Sequence, residues 1–491
     1  MPRPAYRKIV DVLADLKLSD MRSRFDQLGR TFTDRGVTFA LGGEERPFPL
    51  DLIPRIIAAV EWEDLAAGVR QRVHALEAFL DDVYGSGGCF KDGLIPRRLI
   101  MTSPHFRREA VGIAEQHGAR ITVSGIDIIR DEDGKLRVLE DNVRIPSGVS
   151  YVIENRRAMT QSFRSLFSQY RVHPVDEYPG RLLRALRRSA PEGVSDPTVV
   201  VLTPGVHNAA YFEHVLLARL MGVELVEGSD LVVVGNNLFM RTTRGERPVH
   251  VVYRRVDDEW IDPLHFRPDS VVGVAGLVNA VRAKTVSMAN AIGNGVADDK
   301  LIYTYVPELI RYYLNEEPLL ENVESYRLED PEKMHEILKH LERYVIKPVD
   351  GSGGKGIVIG PQSDEPTLSA LRETISANPR GFIAQRTVAL STVPTFVDNL
   401  MSPRHVDLRP FAISDGDEVW VLPGGLTRVA LTQGALIVNS SQGGGSKDTW
   451  VLADDQRRSR ERAEINVASP LITFDGDQRQ HGPELQSGAN Q

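Results

Sequence analysis

The sequence predicts a mixed α/β (α+β) protein, and three features carry that prediction. An apolar run from Val199 to Thr203, a helix-like stretch from Ala209 to Met221 and a second apolar run from Val223 to Val226 read together as a β-α-β unit. Two short β-favouring hairpins stand far apart in the chain, one around 126–140 and one around 344–359. Between Asp51 and Asp82 apolar residues recur at spacings of three and four, through Trp62, Leu65, Val69, Leu76 and Leu80, which marks a long helix. At 491 residues the chain is long enough for two to four structural units with ample core.

Taken in order, residues 1–90 form a mainly helical N-terminal region. Residues 91–190 lead through Pro104-His105-Phe106 into the first hairpin, then into helices from Val152 to about Gln169 and from Pro179 to Arg188. The β-α-β unit occupies 191–270. A helix from Leu301 to Leu314 opens the segment 271–452, whose part after 341 is strand-rich. After Asp454 the chain turns polar, with Gln456-Arg-Arg-Ser-Arg-Glu-Arg and then Gly, Gln and Ser, so 453–491 is expected to be a disordered tail broken by a short Leu471–Phe474 patch.

Composition narrows the functional classes. Charged residues make up 26% and hydrophobic ones 42%, a globular balance, and the net charge of −8 gives no case for nucleic acid or an anionic membrane as partner. No run of about 18 apolar residues and no signal-peptide pattern is present, so a cytoplasmic location is expected. The single cysteine, Cys89, excludes internal disulfides and thiolate metal sites. Oligomeric state is not legible.

The first hairpin is chemically pointed. If Asp133-Gly134 form its turn, Asp127 lies opposite Glu140, and Asn142 shares Glu140's face, whereas Asp141 points to the other. Two facing carboxylates repel, and a hard cation such as Mg²⁺ between them would remove that cost. A solvated acidic hairpin is the alternative. The second hairpin carries Lys347 and the loop Gly351-Ser352-Gly353-Gly354-Lys355-Gly356 between two strand-like flanks. A dinucleotide fingerprint needs a helix after the loop, and a P-loop needs Ser or Thr after the lysine, so both fail. What remains is a flexible glycine hairpin whose bare N–H groups could fold over phosphates, with Lys347 as an exposed strand-end cation, or else an ordinary glycine turn. Further on, His405-Val-Asp407-Leu-Arg409-Pro-Phe-Ala-Ile reads as a strand paired with Gly416–Leu422, followed by Gly424-Gly-Leu-Thr-Arg428 and Asn439-Ser-Ser-Gln-Gly443. Arginines on strands beside glycine turns suit oxyanions.

Together these motifs resemble the circularly permuted ATP-grasp family, type 2, over roughly residues 90–452. In ordinary ATP-grasp enzymes the lysine strand and glycine loop precede the Asp-x-Arg strand, a further Arg, an Asn-Gly-Gly region and finally an Asp and a Glu-x-Asn. Here Asp127 and Glu140-x-Asn142 come first instead. The resemblance implies a permuted ATP-grasp fold with a Rossmann-like α/β pre-grasp domain, and ATP and Mg²⁺ as cofactors. By it Asp127, Glu140 and Asn142 hold the metal; Lys300, Lys347, Gly351, Ser352, Gly353, Gly354, Gln385 and Asn439 bind the nucleotide; Arg409, Arg428 and Arg144 meet the transferring phosphoryl group or the substrate carboxylate. Gln385 stands where many relatives carry Glu, at the hinge that reads adenine and ribose. The implied reaction joins a small-molecule or peptide carboxylate, activated as an acylphosphate, to an amine or thiol. A kinase-like phosphotransferase and a non-catalytic nucleotide-binding partner stay open beside it. Arg254-Arg255-Val-Asp257-Asp258-Glu259 reads as a holder for a zwitterionic amino acid or as a solvated loop.

Overall fold

The residues picked out by the three–four spacing lie on one helix, Ala59–Tyr84, and Trp62, Leu65, Val69, Leu76 and Leu80 are all buried. The helix begins later than Asp51, because Arg55–Ile57 is instead a strand pairing in parallel with Thr449–Val451. That partner lies at the other end of the chain, so no local pattern announces it. The computed structural model describes residues 4–41, 44–113, 117–351, 356–435, 438 and 444–454. The chain forms two units, Met1–Leu452 and Ala453–Gln491. Beyond 454 the expected tail lies outside the described residues.

The β-α-β unit forms as expected: strand Val199–Leu202, helix Tyr211–Met221 and strand Glu224–Val226. It extends to a four-stranded sheet in the order Ser287–Ala289, Val251–Arg254, Val199–Leu202, Glu224–Val226, with every neighbouring pair parallel. Strand alternation feeds both faces. Val200, Leu202 and Val252 enter one core cluster, and Val199, Val201 and Val251 enter another, as a parallel sheet covered on both sides requires.

Two more sheets build the site. One runs Glu321–Asn322, Leu136–Asn142, Val123–Arg130, Phe411–Ser414, Val419–Val421, so the carboxylate hairpin sits at its centre. The other runs Ser325–Arg327, Phe382–Arg386, Tyr344–Pro348, Val358–Ile359. Helices Pro331–Lys339 and Glu365–Ala377 send Ile337, Leu368, Leu371 and Ile375 into a core with Ile346 and Ala384. Their strand neighbours Val345, Lys347 and Gln385 therefore face the opposite side, which remains a cleft wall.

Two predicted elements are interrupted. The helix expected over 301–314 splits into Lys300–Tyr303 and Val306–Leu314, with Pro307 in the first turn of the second, where its missing N–H costs nothing. The strand expected over 405–413 ends at His405 and resumes at Phe411, with Pro410 unable to donate to the ladder. Among the described residues no helix is long and apolar enough to cross a membrane.

Candidate active site

Asp127 faces Glu140 in the hairpin of Val123–Arg130 and Leu136–Asn142. The register comes about differently from expectation. Arg130 pairs with Leu136, so the connection is the five-residue turn 131–135 rather than Asp133-Gly134 alone. A bulge then leaves Leu139 unpaired and shifts the register back, so that Glu140 returns opposite Asp127. Asp131 holds the turn by accepting from the Lys135 N–H at 2.8 Å and from Arg137 Nε at 2.6 Å.

The like-charge problem at this pair is met by arginine. Asp127 is fully buried and takes Arg409 bidentately, Nε to Oδ1 at 2.5 Å and Nη2 to Oδ2 at 2.8 Å, while Arg428 Nη2 donates to Oδ2 at 2.5 Å. Arg428 also binds Asp407, Nε to Oδ1 at 3.0 Å. Gly125 makes room for this: a Cβ there would meet Arg409 Cδ at 3.1 Å, so the arginine stem can lie across the strand. Burial pushes the Asp127 carboxyl up, but Arg409 and Arg428 outweigh it and hold it well below the usual range. Asp407, whose burial outweighs the pull of Arg428, is raised. Repulsion between Asp127 and Glu140 thus supplies no separate reason for a cation, contrary to the sequence argument.

The donors left over nonetheless suit one. Asp127 Oδ1 accepts one hydrogen bond from an arginine among the described residues, which leaves it a lone pair. Glu140, its side chain 29% exposed, has Lys300 at 3.8 Å and Arg409 at 3.9 Å as its ion-pair partners among the described residues, and its carboxyl also interacts with that of Asp127. Asn142 Nδ2 is buried without a partner among the described residues, and the amide turned by half a rotation would present its oxygen there. Among the described residues no group of three or more His, Cys, Asp or Glu is arranged to hold a metal. One or two carboxylates completed by phosphate oxygens is the Mg²⁺ pattern this set can meet.

A cleft opens between the two hairpins. Ile129 and Leu139 line one side and Val345, Ile357 and Ile359 the other, with Gln385 between them and its Nε2 donating to Ser325 Oγ at 3.1 Å. Lys347 reaches into this cleft and is 5% exposed, so the expectation of an exposed lysine is corrected: the strand face that carries it is covered by the carboxylate hairpin's sheet. Its ammonium makes no hydrogen bond or ion pair within 4 Å among the described residues. Burial lowers it to about 8, with Glu140 opposing and Lys300 adding to the shift. Lys300 lies beside Glu140 and donates to the Gly351 carbonyl. Ser352, Gly353, Gly354 and Asn439 lie outside the described residues.

A second, more polar cleft adjoins the first and shares Glu140, Lys300, Gly351 and Arg428 with it. Arg409, Asn142 and Arg144 line it, so every described residue singled out for the site reaches one cleft or both. Its remaining wall has Tyr151 stacked on Phe48 at 4.0 Å. The 254–259 segment is neither the solvated loop nor a direct holder throughout. Arg255 is buried on Glu213 at 3.1 Å, whereas Asp257 pairs with Arg144 at 3.2 Å. Glu213 also accepts from the Gly148 and Ser150 N–H groups at 2.8 and 3.0 Å, which anchors the loop carrying Arg144 to the parallel-sheet region. Asp141 does point away from the site, but into a buried pair with Arg72, Nε to Oδ1 at 2.5 Å. Neither Arg72 nor Glu213 carries a sequence signal beyond sitting on a helix.

The family model for circularly permuted ATP-grasp type 2 matches residues 54–430. An uncharacterized protein of Mycobacterium tuberculosis is 58% identical over 466 residues, 95% of this chain and 84% of that one. A Synechocystis protein, also uncharacterized, is 49% identical over 455 residues, covering 92% and 95%. A Frankia casuarinae protein provisionally named glutamate–cysteine ligase is 44% identical over 453 residues, 91% of this chain but 52% of that protein. Among solved structures, a glutathione synthetase-like effector of Globodera pallida in its apo form superposes with a TM-score of 0.58 at 12% identity, over 89% of this chain and 98% of that one, a likeness of fold.

Proposed function

For a chain that belongs to the circularly permuted ATP-grasp family, type 2, we propose an ATP- and Mg²⁺-dependent ligase that activates a carboxylate as an acylphosphate and joins it to an amine or thiol. The observation that carries this is Lys347: a buried ammonium with no anionic partner within 4 Å among the described residues, facing a cleft of apolar walls. Such a charge is costly unless an anion arrives to pair with it, and a nucleotide supplies both the phosphates and a flat base for the apolar walls. The relative named for a glutamate–cysteine ligase supports amide formation, although the match spans only 52% of it.

In this reading Lys347, Lys300 and the loop from Gly351 hold the phosphates, and Gln385 meets the base and ribose. Glu140, Asn142 and the free lone pair of Asp127 would hold Mg²⁺, which would supply charge neutralisation for the phosphates. A donor carboxylate oxygen attacks the γ-phosphorus where the two clefts meet. The bond from that phosphorus to the β,γ-bridging oxygen breaks, and ADP leaves with the electron pair. Arg409 and Arg428 steady the charge on the transferring group, and Arg144 meets substrate. The acceptor nitrogen or sulfur then attacks the acyl carbon, phosphate leaves with the C–O electron pair, and the nucleophile's proton passes to phosphate or water. Incubation with ATP, Mg²⁺ and a pooled library of amino acids and amines, read by mass spectrometry, tests the proposal. A condensed product with ADP is expected. AMP and pyrophosphate would overturn the acylphosphate route, and a phosphorylated product without condensation would mark a phosphotransferase.

A further inference from the structure

Of the three arginines lining the second cleft, Arg409 and Arg428 are committed to Asp127 and Asp407. Arg144 is not. It approaches Asp257 at 3.2 Å and Asp298 at 3.5 Å, yet none of its guanidinium N–H groups makes a hydrogen bond among the described residues. Its side chain is 24% exposed, enough to be reached from the cleft. His105 lines the same end, and its ring also has no hydrogen-bond partner among the described residues. Gly295 brings the two together: a Cβ at that position would meet Arg144 Cδ at 3.2 Å and His105 Cβ at 3.2 Å. A guanidinium held by ion pairs and an imidazole are thus gathered without a side-chain hydrogen bond among the described residues.

This cluster stands away from the reacting end. Glu140, Lys300 and Arg428 line both clefts, whereas Arg144 and His105 line only the second. A group bound at Arg144 is therefore not the one beside the phosphates. The surrounding acids, Asp257, Asp298 and the exposed Asp350, set the polarity of what fits. A phosphate dianion would face all three. A carboxylate bearing a neighbouring ammonium would satisfy the arginine and the acids at once.

Resting on the ligase reading above, we propose that Arg144 and His105 bind the α-carboxylate of an amino-acid substrate, with its ammonium among Asp257, Asp298 and Asp350, and that the carboxylate activated at the shared wall is a second one on the same molecule. The donor class is an amino-dicarboxylic acid. Bidentate guanidinium–carboxylate geometry gives the specificity that a lysine in the same place would not.

The test is calorimetric titration of the full chain saturated with ADP and Mg²⁺. The probes are L-glutamate, L-aspartate and L-2-aminoadipate, set against glutarate, which lacks the ammonium, and 4-aminobutyrate, which lacks the α-carboxylate. At least one amino-dicarboxylate should bind at least tenfold more tightly than both controls. Arg144→Gln and Arg144→Lys should each weaken it by at least tenfold, and His105→Phe should weaken it by severalfold, with ADP affinity within error of wild type. Wild-type affinity in Arg144→Gln, equal binding of glutarate or 4-aminobutyrate, or no binding of any amino-dicarboxylate by ADP-loaded protein would overturn the inference alone. Failure to bind ADP at all would instead remove the ligase reading on which it rests.

Discussion

Replacing Lys347 by methionine should make the free protein more stable while abolishing nucleotide binding. The lysine is buried and without a protein counter-ion within 4 Å, and its pKa falls from 10.5 to about 8. At about 1.4 kcal/mol per pH unit, holding it charged at pH 7 costs the folded state about 3 kcal/mol. Methionine fills similar space without charge, so removing that cost should stabilise by about 2–3 kcal/mol. With an unfolding entropy of about 2.1 cal/mol/K per residue across Met1–Leu452, the rise in Tm is about 2–3 °C. The pH dependence follows from the sign of the shift. Between pH 8 and 10.5 the unfolded chain holds a proton at this lysine that the folded chain has lost, so wild-type stability climbs over that window. The gap between variant and wild type should be complete below pH 8 and fade toward pH 10.5. Thermal melts from pH 7 to 10, paired with calorimetric titration of ATP, measure both effects. A lower Tm in the variant at pH 7, a gap that does not change with pH, or retained ATP affinity would refute the reasoning.

Three other outcomes are expected. Asp141→Asn, on the hairpin face turned away from Glu140, should cost about 3–5 kcal/mol in urea unfolding, because it takes the carboxylate from the buried Arg72 guanidinium and leaves it Asn322 as its other side-chain acceptor among the described residues. Glu140→Gln should leave the urea midpoint nearly unchanged and lower Mg²⁺-dependent turnover by at least about 100-fold; unchanged turnover would exclude Glu140 from the metal site. Gly148→Ala should destabilise by about 1–3 kcal/mol, since φ is 118° and the new Cβ would lie 2.8 Å from Leu426 Cδ2, and equal stability by chemical denaturation would count against that strain.

Elements governed by near neighbours were legible in the sequence. The β-α-β unit, the helix through Trp62 and Leu80, the antiparallel strands flanking the glycine loop and the Asp127–Glu140 pairing all follow from periodicity and turn signals over a few residues. Even there the pairing arrived through a bulge at Leu139, which no residue in the hairpin announces. The reversed order of the motifs was legible too, since family membership is written in residue types and their sequence. Tertiary structure decided what those residues do to one another. Arg409 and Arg428 reach Asp127 across 282 and 301 residues, so whether that carboxylate meets a cation or two guanidiniums depends on which strands become neighbours. Lys347 is indistinguishable from a surface lysine in sequence, because burial belongs to the sheet that covers it rather than to its own strand. Asp141 and Asp127 are both hairpin aspartates in sequence, and only the helix Ala59–Tyr84 packed on one face makes the first structural, while the cleft on the other leaves the second in the site. Sequence determines the local backbone and the inventory of charges; the low-dielectric interior assigns those charges their partners, and it exists only once distant segments have closed around them.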